Sequence, residues 1–342
     1  MIFRRESATA TQAPDTSPAV RRPPAAVRRI RIVVAASAAV VVAGGIAIGL
    51  NSGAASAATQ VNCSAVPHLC GYPDATNSGV PAGVVLQTVP GQVSSGLGWR
   101  FDPVSGTVKV TGPGAVLSGL YIPYNLDISA SGVLVQNVQV VTAGNFGISL
   151  RHTTGVTIQD STINGQNVTS GRVSAAITDV YGDSTGMTVK NDNISYFKTA
   201  VQLSTGLVTG NYIHNPGYVS GDHTNGIFDT GTTQPLTISG NTILVNLGQT
   251  DAISLNASSA GLPVANKTVS NNLIGGGSYS IYGGTSLGNT TSNIVIRSNR
   301  FSQQYYAGSG LYGSVAYFDS KGTGNAWSGN TWDTTGATIP AP

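Results

Sequence analysis

A short phrase repeats nine times between residues 112 and 333 of this 342-residue chain. Each copy has two apolar positions one residue apart, then a polar pair, then another apolar residue, as in VTIQDSTI at 156–163 and LTISGNTI at 236–243. Equivalent positions in successive copies are 18 to 31 residues apart. Self-similarity at such a period is typical of a solenoid, in which each repeat stacks on the next.

The repeated phrase has the pattern of a β-strand. Apolar residues alternate with polar ones at period two, and β-branched residues dominate the apolar positions. Parallel strands need a connection of a dozen or more residues, which fits these spacings, whereas hairpin turns do not. The sequence therefore predicts an all-β fold, a single-stranded right-handed parallel β-helix of about nine or more coils.

One polar position recurs in the same register of the phrase. It is occupied by Asn211, Asn241, Asn272, Asn299 and Asn330. Asparagine tolerates the left-handed backbone of a tight turn, and stacked amides can bond to one another along a column. We expect this column to hold the coils together, with no part in chemistry.

A second strand follows in most coils and contains a small residue followed by Ile or Val. Its exceptions are candidate functional positions. Asp179 and Asp229 stand where other coils have leucine, and Asn225 and Asp251 precede the small residue on adjacent coils.

The first 57 residues have the features of an export leader. A basic, Pro- and Ala-rich region is followed by an uncharged stretch at 32–50 and by Ala55-Ser56-Ala57. This pattern predicts a secretory signal peptide. The alternative is an uncleaved membrane anchor, because the apolar stretch is just long enough to span a bilayer. Both alternatives place the remainder of the chain outside the cytoplasm.

The remainder divides by composition into three segments. We predict an N-terminal cap with the first coils at 58–111, the β-helix repeats at 112–333 and a C-terminal tail at 334–342. From residue 58 onward there are 10 Lys and Arg against 12 Asp, so the charge is near −2. No nucleic-acid partner is expected, because that would require clustered positive charge. Membrane contact is expected only through the N-terminal segment, if it is retained.

Cys63 and Cys70 are the two cysteines of the chain. In an exported protein such a close pair is expected to form a disulfide. His68 lies between them, but two cysteines and one histidine do not complete a four-ligand zinc site. No metal site is predicted, and the sequence identifies no cofactor.

A family resemblance rests on two features. The segment GYPDATNSGVPAG at 71–83 and the V-x-I-x-N-N-x-I phrase resemble secreted actinobacterial right-handed β-helix repeat proteins of the pectin-lyase-like superfamily. The likeness covers roughly residues 70–333. It implies a polysaccharide lyase or a glycoside hydrolase. Members carry H-T-D-G where this chain has His223-Thr224-Asn225-Gly226, and the polygalacturonase strings N-T-D, D-D, G-H-G and R-I-K do not occur in the sequence.

Four residues are candidate catalytic groups: Asp222, His223, Asp229 and Asp251. Asp222 and His223 lie in an insertion at 215–224, and insertions in a solenoid often mark its binding face. Hydrolysis of a glycoside needs two carboxyl groups about 5–9.5 Å apart, a separation that coils repeating at about 4.8 Å can supply. Lyase chemistry instead needs a base such as His. The alternative is that these carboxylates cap turns and strand ends.

Five further residues are candidate substrate-binding groups: Asn225, Arg151, His152, Asp179 and Tyr282. Arg151 and His152 follow the equivalent strand several coils earlier, and the alternative for them is a solvated loop. Tyr282 belongs to a group of tyrosines whose rings could stack on sugars. The hypothesis is a secreted, carbohydrate-active hydrolase or lyase acting on an extracellular polysaccharide. The alternative is a non-catalytic solenoid that binds cell wall or glycan.

Overall fold

The computed structural model describes residues 61–166, 173–231, 233–256 and 260–342. The predicted leader therefore lies outside the described residues. No helix in the described part of the chain is long and apolar enough to cross a membrane.

Almost all regular structure in the described residues belongs to two sheets, a seventeen-stranded sheet A and an eleven-stranded sheet B. Sheet A consists of β1 (Gln87–Thr88), β5 (Val116–Ile122), β7 (Leu134–Val141), β9 (Thr157–Gln159), β10 (Thr162–Asn164), β12 (Thr188–Lys190), β13 (Asn193–Ser195), β15 (Gly206–Thr209), β16 (Tyr212–His214), β18 (Leu236–Ser239), β19 (Thr242–Val245), β21 (Pro263–Ser270), β22 (Leu273–Gly276), β24 (Thr290–Arg297), β25 (Arg300–Phe301), β27 (Ala326–Ser328) and β28 (Thr331–Trp332). Sheet B consists of β2 (Ser95–Gly96), β3 (Trp99–Asp102), β4 (Thr107–Val110), β6 (Asn125–Ile128), β8 (Phe146–Leu150), β11 (Val173–Asp179), β14 (Phe197–Gln202), β17 (Asn225–Phe228), β20 (Asp251–Ser254), β23 (Tyr279–Tyr282) and β26 (Gly313–Ala316). Two short 3₁₀ helices span Pro67–Cys70 and Ser286–Gly288.

Strands of each coil pair in parallel with the equivalent strands of the next coil. In sheet A, for example, β16 pairs with β19, and in sheet B β17 pairs with β20. Only β2, β3 and β4, at the N-terminal end of sheet B, pair in an antiparallel manner among these strands. The predicted parallel β-solenoid is therefore confirmed.

The solenoid makes about seven turns, slightly fewer than the predicted nine or more. The last copy of the phrase forms β27 and β28, and no strand of sheet B follows them among the described residues, so that copy adds strands without completing a turn.

The core is a set of apolar rows that run along the stack. One row from sheet A comprises Ile163, Ile194, Ile213, Ile243, Ile274 and Phe301, all buried. A row from sheet B comprises Ile148, Ile177, Val201, Ile227, Ile253 and Ile281, all fully buried. Burying each such side chain stabilises the fold by about 1.5–3 kcal/mol. Because the apolar residues occupy equivalent positions in every coil, this stabilisation favours one register of the coils.

The predicted asparagine column is a continuous hydrogen-bonded ladder. The side-chain Nδ2 and the backbone N–H of Asn211 both donate to Oδ1 of Asn241, each at 2.9 Å. The same pair of hydrogen bonds joins Asn241 to Asn272 at 2.9 Å. It recurs from Asn272 to Asn299 and from Asn299 to Asn330 at 3.0 Å. All five side chains are fully buried. The ladder therefore satisfies polar groups that burial would otherwise leave unpaired.

The left-handed residue of each turn is not the ladder asparagine, as the sequence analysis expected, but the residue before it. That position is held by Gly119, Asn137, Asp160, Asn191, Gly210, Gly240, Asn271, Ser298 and Gly329, with φ between 50° and 68°. Glycine and asparagine adopt this conformation at the least cost, which accounts for their frequency there. The ladder residue keeps an ordinary backbone because its side chain must point inward.

Asp192 occupies a ladder position without an amide, and it generates the first prediction. Its Oδ1 accepts from the N–H of Ser161 at 2.8 Å, while its Oδ2 has no hydrogen-bond partner among the described residues. Burial raises the pKa of this carboxyl well above its usual range. Asp192→Asn supplies a donor and removes the ionisable group, so we expect the free energy of unfolding at pH 7 to rise by at least about 1–2 kcal/mol.

Denaturant unfolding at several pH values measures this effect. A raised folded-state pKa means that the wild type loses stability as pH rises above the unfolded value of about 3.9, so the advantage of the variant should grow from pH 4 to pH 7. Asn241→Asp is the matched control and should destabilise the fold. A variant no more stable than the wild type at pH 7 contradicts the argument.

Candidate functional site

A groove of about 860 Å³ crosses sheet B over β14, β17, β20, β23 and the residues that flank β26. Five neighbouring strands span on the order of 20 Å. The groove is lined by Lys198, Thr199, Gln202, His223, Asn225, Phe228, Gly248, Gln249, Thr250, Asp251, Ser254, Asn256, Ser278, Tyr282, Ser286, Leu287, Tyr312 and Tyr317.

Strand register determines which residues share the floor of this groove. One row places Thr199 beside Asn225, and Asn225 beside Asp251. The other row runs from Gln202 through Phe228 and Ser254 to Tyr282. The sequence analysis placed Asn225 and Asp251 on adjacent coils, and the structure pairs them directly.

Asn225 and Asp251, on the adjacent strands β17 and β20, form a buried polar pair in the floor. Asn225 Nδ2 donates to Asp251 Oδ1 at 2.8 Å, while Asp251 Oδ2 has no hydrogen-bond partner among the described residues. Burial raises the pKa of Asp251 to about 8, against the opposing effect of Asn225 and Ser254. Asp251 is therefore neutral at pH 7. Asp251 exposes none of its surface, and Asn225, at 8% exposed, is the less buried member of the pair.

The end of the groove at β23 and β26 is aromatic. The rings of Tyr282 and Tyr317 meet edge to face with centroids 5.5 Å apart, and Tyr312 lies 6.0 Å from Tyr279. Tyr312 is 71% exposed and Tyr317 is 54% exposed, so large ring surfaces face solvent. The hydroxyl of Tyr282 is held by Ser278 Oγ at 2.9 Å. Burial raises the pKa of Tyr282, so it stays protonated at neutral pH.

The insertion at 215–224 contributes one wall of the groove through His223, whose side chain is exposed at the edge of the floor. Asp222, the preceding residue, is buried and does not line the groove. Its Oδ2 accepts from the N–H of Val219 at 2.9 Å, which closes a turn of the insertion. The insertion therefore lies at the groove, with its histidine and not its aspartate facing the cavity.

Asp229 lies inside the solenoid, away from the groove. It pairs with Lys267, and both side chains are fully buried. Lys267 Nζ donates to Asp229 Oδ1 at 3.3 Å and to the backbone oxygens of Ser204 and Gln234 at 2.9 and 2.8 Å. Burial raises the pKa of Asp229 to about 6, while the charge of Lys267 opposes the rise. The ammonium of Lys267 is surrounded by three acceptors, which indicates that its ion pair with Asp229 is structural.

The remaining candidates lie outside the groove, one coil before it for Asp179 at the end of β11 and two coils before it for Arg151 and His152, which follow β8. Asp179 is buried, and its Oδ2 accepts from the N–H of Ser184 at 3.0 Å. Arg151 Nε donates to Asp127 Oδ1 at 2.8 Å. The ring of His152 stacks on Tyr181 at 4.3 Å, and its Nδ1 lies 2.6 Å from a carboxylate oxygen. The structure therefore gathers His223, Asn225, Asp251 and Tyr282 of the nine candidates into one groove.

Sequence reasoning missed several residues that line the groove, namely Lys198, Gln202, Phe228 and Gln249. Register could have identified Gln202 and Phe228, because they occupy the same row as Tyr282. The repeat does not predict Lys198 or Gln249 as groove residues, because neither belongs to the row that runs from Gln202 to Tyr282.

The two cysteines form a disulfide, with Cα atoms 5.6 Å apart, at the N-terminal end of the described chain. Among the described residues, no group of three or more His, Cys, Asp or Glu side chains is arranged to hold a metal ion.

Comparisons with protein families, curated proteins and solved structures found no match to this chain. The structure bears out the parallel solenoid that the sequence resemblance implies, and membership of the pectin-lyase-like superfamily stays a prediction. Function is therefore inferred from the groove itself.

The ionisation of Asp251 generates a second prediction. Its pKa is raised in the folded state, so its contribution to stability is present at low pH and is lost as pH rises from about 4 towards 8. Relative to Asp251→Asn, the wild type should lose about 1.4 kcal/mol of unfolding free energy for each pH unit in that window.

Denaturant unfolding across pH 4 to 9, together with carbon NMR titration of the aspartate carboxyls, measures both quantities. Asp319→Asn, which alters a carboxylate whose bonded partner is the backbone N–H of Lys321, is the control and should leave the pH dependence unchanged. An Asp251 carboxyl that titrates near 4 would refute the assignment.

Proposed function

We propose that this solenoid binds an extracellular polysaccharide in the groove of sheet B. The observation that carries the proposal is the groove's composition, in which exposed tyrosine rings stand at one end of a floor of amides and hydroxyls. Its extracellular setting rests on the leader predicted from the sequence.

The shape of the groove supports an extended ligand. It crosses five strands over a distance on the order of 20 Å, which suits several sugar units in a chain more than a single small molecule. Sugars present hydroxyl groups at their edges and C–H groups on their faces. Amides such as Gln202 and Asn225 can bond the hydroxyls, while rings such as Tyr312 and Tyr317 can cover the faces.

The charge of the groove is compatible with a neutral or an acidic polymer. Among the described lining residues Lys198 supplies a cationic group, His223 an imidazole and Asp251 a carboxyl. Because Asp251 is buried and neutral at pH 7, no negative charge on the floor repels a uronate.

Two-carboxylate hydrolysis finds little support in this geometry. Glycosidases need two carboxyl groups that reach the scissile bond. Asp229 is paired with Lys267 inside the core, Asp222 closes a turn, and Asp251 exposes no surface.

A second candidate function, cleavage of a uronate polymer by β-elimination, is favoured by His223 beside the Asn225–Asp251 pair. A neutral imidazole can remove the proton next to the uronate carboxylate. The amide of Asn225, held by Asp251, can donate to that carboxylate as negative charge develops on it. Tyr282 is a protonated hydroxyl in the same groove that can return a proton to the leaving oxygen.

Replacing the two exposed rings tests polysaccharide binding. Tyr312→Ala combined with Tyr317→Ala should weaken binding about 10- to 100-fold, because each lost ring contact costs on the order of 1 kcal/mol or more. Affinity electrophoresis and calorimetry with neutral and uronate polymers measure the change.

Tyr181→Ala is the matched control, since Tyr181 is 57% exposed but lies outside the groove. Equal affinity of the double variant and the wild type, or no binding of any polymer by the wild type, would rule out this site.

Replacing the histidine tests the cleavage candidate. His223→Gln keeps a polar side chain but removes the base, so turnover should fall about 10²–10⁴-fold while binding is retained. Assays of unsaturated products and of reducing ends distinguish elimination from hydrolysis. Binding without either product assigns the groove to a non-catalytic glycan-binding solenoid.

A further inference from the structure

The N-terminal segment, residues 61–86, follows an unusual path, and it is called the strap below. It begins against the last two coils, where Ser64 bonds Asp333 and Ser302, and it ends beside the first, where β1 pairs with β5. Between these points the N–H of Gly79 donates to the backbone oxygen of Asn191 at 2.9 Å. The strap therefore crosses the outside of the stack and touches coils that are far apart in sequence.

The strap is attached to the last coil by one buried carboxylate. Asp333, fully buried, accepts from the N–H of Cys63 at 3.2 Å and from the N–H and the hydroxyl of Ser64 at 2.8 and 2.6 Å. Arg300 Nε lies 3.1 Å from the same carboxylate. Leaving a buried carboxylate without hydrogen-bond donors destabilises the fold. The contact between Asp333 and the strap therefore stabilises the docked strap only while the N–H groups of Cys63 and Ser64 stay in place.

The disulfide holds those donors in place. Cys63 is itself one of the donors, and its bond to Cys70 closes a short loop that contains Ser64 and the 3₁₀ helix at Pro67–Cys70. Without the bond, the segment preceding that helix would gain conformational freedom that docking must remove.

We propose that the strap is a redox-sensitive clasp, in which the Cys63–Cys70 disulfide locks the N-terminal segment onto Asp333 and so protects the last coil. A terminal coil of a solenoid has a neighbour on one side only and is the first to fray. The clasp ties this coil to coils nearer the N-terminal end. In an oxidising compartment it is closed, and in a reducing one it is open.

Opening the clasp is a two-electron reduction by a small dithiol. The Cys63–Cys70 bond breaks and two protein thiols form, while the dithiol loses two electrons and two protons and closes into its own cyclic disulfide. Cys70 is partly exposed, which gives the reductant a sulfur to attack.

Limited proteolysis of the exported protein, with the cut sites mapped by mass spectrometry, tests the clasp in the folded wild type before and after dithiol treatment. We expect the strap and the last coil to be cut at least about tenfold faster after reduction, with the central coils still protected. Asp333→Asn should produce the same effect under oxidising conditions. Asp183→Asn, in an exposed pair away from the strap, is the matched control and should change nothing.

The combination of the two perturbations separates a clasp from independent stabilising contacts. If both act on one docking event, reduction of Asp333→Asn should add little to the effect of either change alone. Unchanged protection of the strap after reduction would overturn the proposal. Additive effects, or loss of protection over all coils together, would also overturn it.

Discussion

The structure depends on the buried asparagine ladder. Each ladder amide must meet partners in the coils on both sides, because a buried amide without partners costs on the order of 1–3 kcal/mol. The bonds from Asn211 to Asn330 satisfy this requirement only when the coils are in register. That register sets the apolar rows of the core, and it also places Asn225 beside Asp251 in sheet B. The ladder thus fixes the coil register, and that register sets the relative positions of the residues in the groove.

The repeat was sufficient to predict the solenoid, the ladder and the adjacency of Asn225 and Asp251, because all three depend on spacing. It did not predict which side chains face the groove. Two successive positions, Gly226 and Ile227, face the interior. A Cβ on Gly226 would lie 2.6 Å from the buried side chain of Ile243, and the side chain of Ile227 is fully buried. This bend shifts the alternation by one residue, so Phe228 lines the groove and Asp229 enters the core. A period-two pattern read from sequence cannot reveal such a bend.

The buried charges follow from the same geometry. An aspartate turned into an apolar core requires a counter-ion, and Lys267 reaches Asp229 from sheet A with its remaining protons bound by backbone oxygens. Asp251 faces the other way and has an amide as its bonded partner, so burial shifts its proton affinity instead. The two carboxyls differ by four residues in their position relative to the bend. Their different roles therefore come from the side of the sheet that each one faces.

The raised pKa of Asp251 also bears on the ligand proposed for the groove. Well below pH 8 Asp251 is mostly neutral, and Lys198 supplies a positive charge to the groove. Above that pH, Asp251 carries a negative charge on the carboxyl whose Oδ1 lies 2.8 Å from Asn225 Nδ2. The amide can then bond its own aspartate more strongly and a ligand less well. If the ligand is a uronate polymer, its affinity should fall as pH rises through 8, whereas the affinity of a neutral polymer should change little.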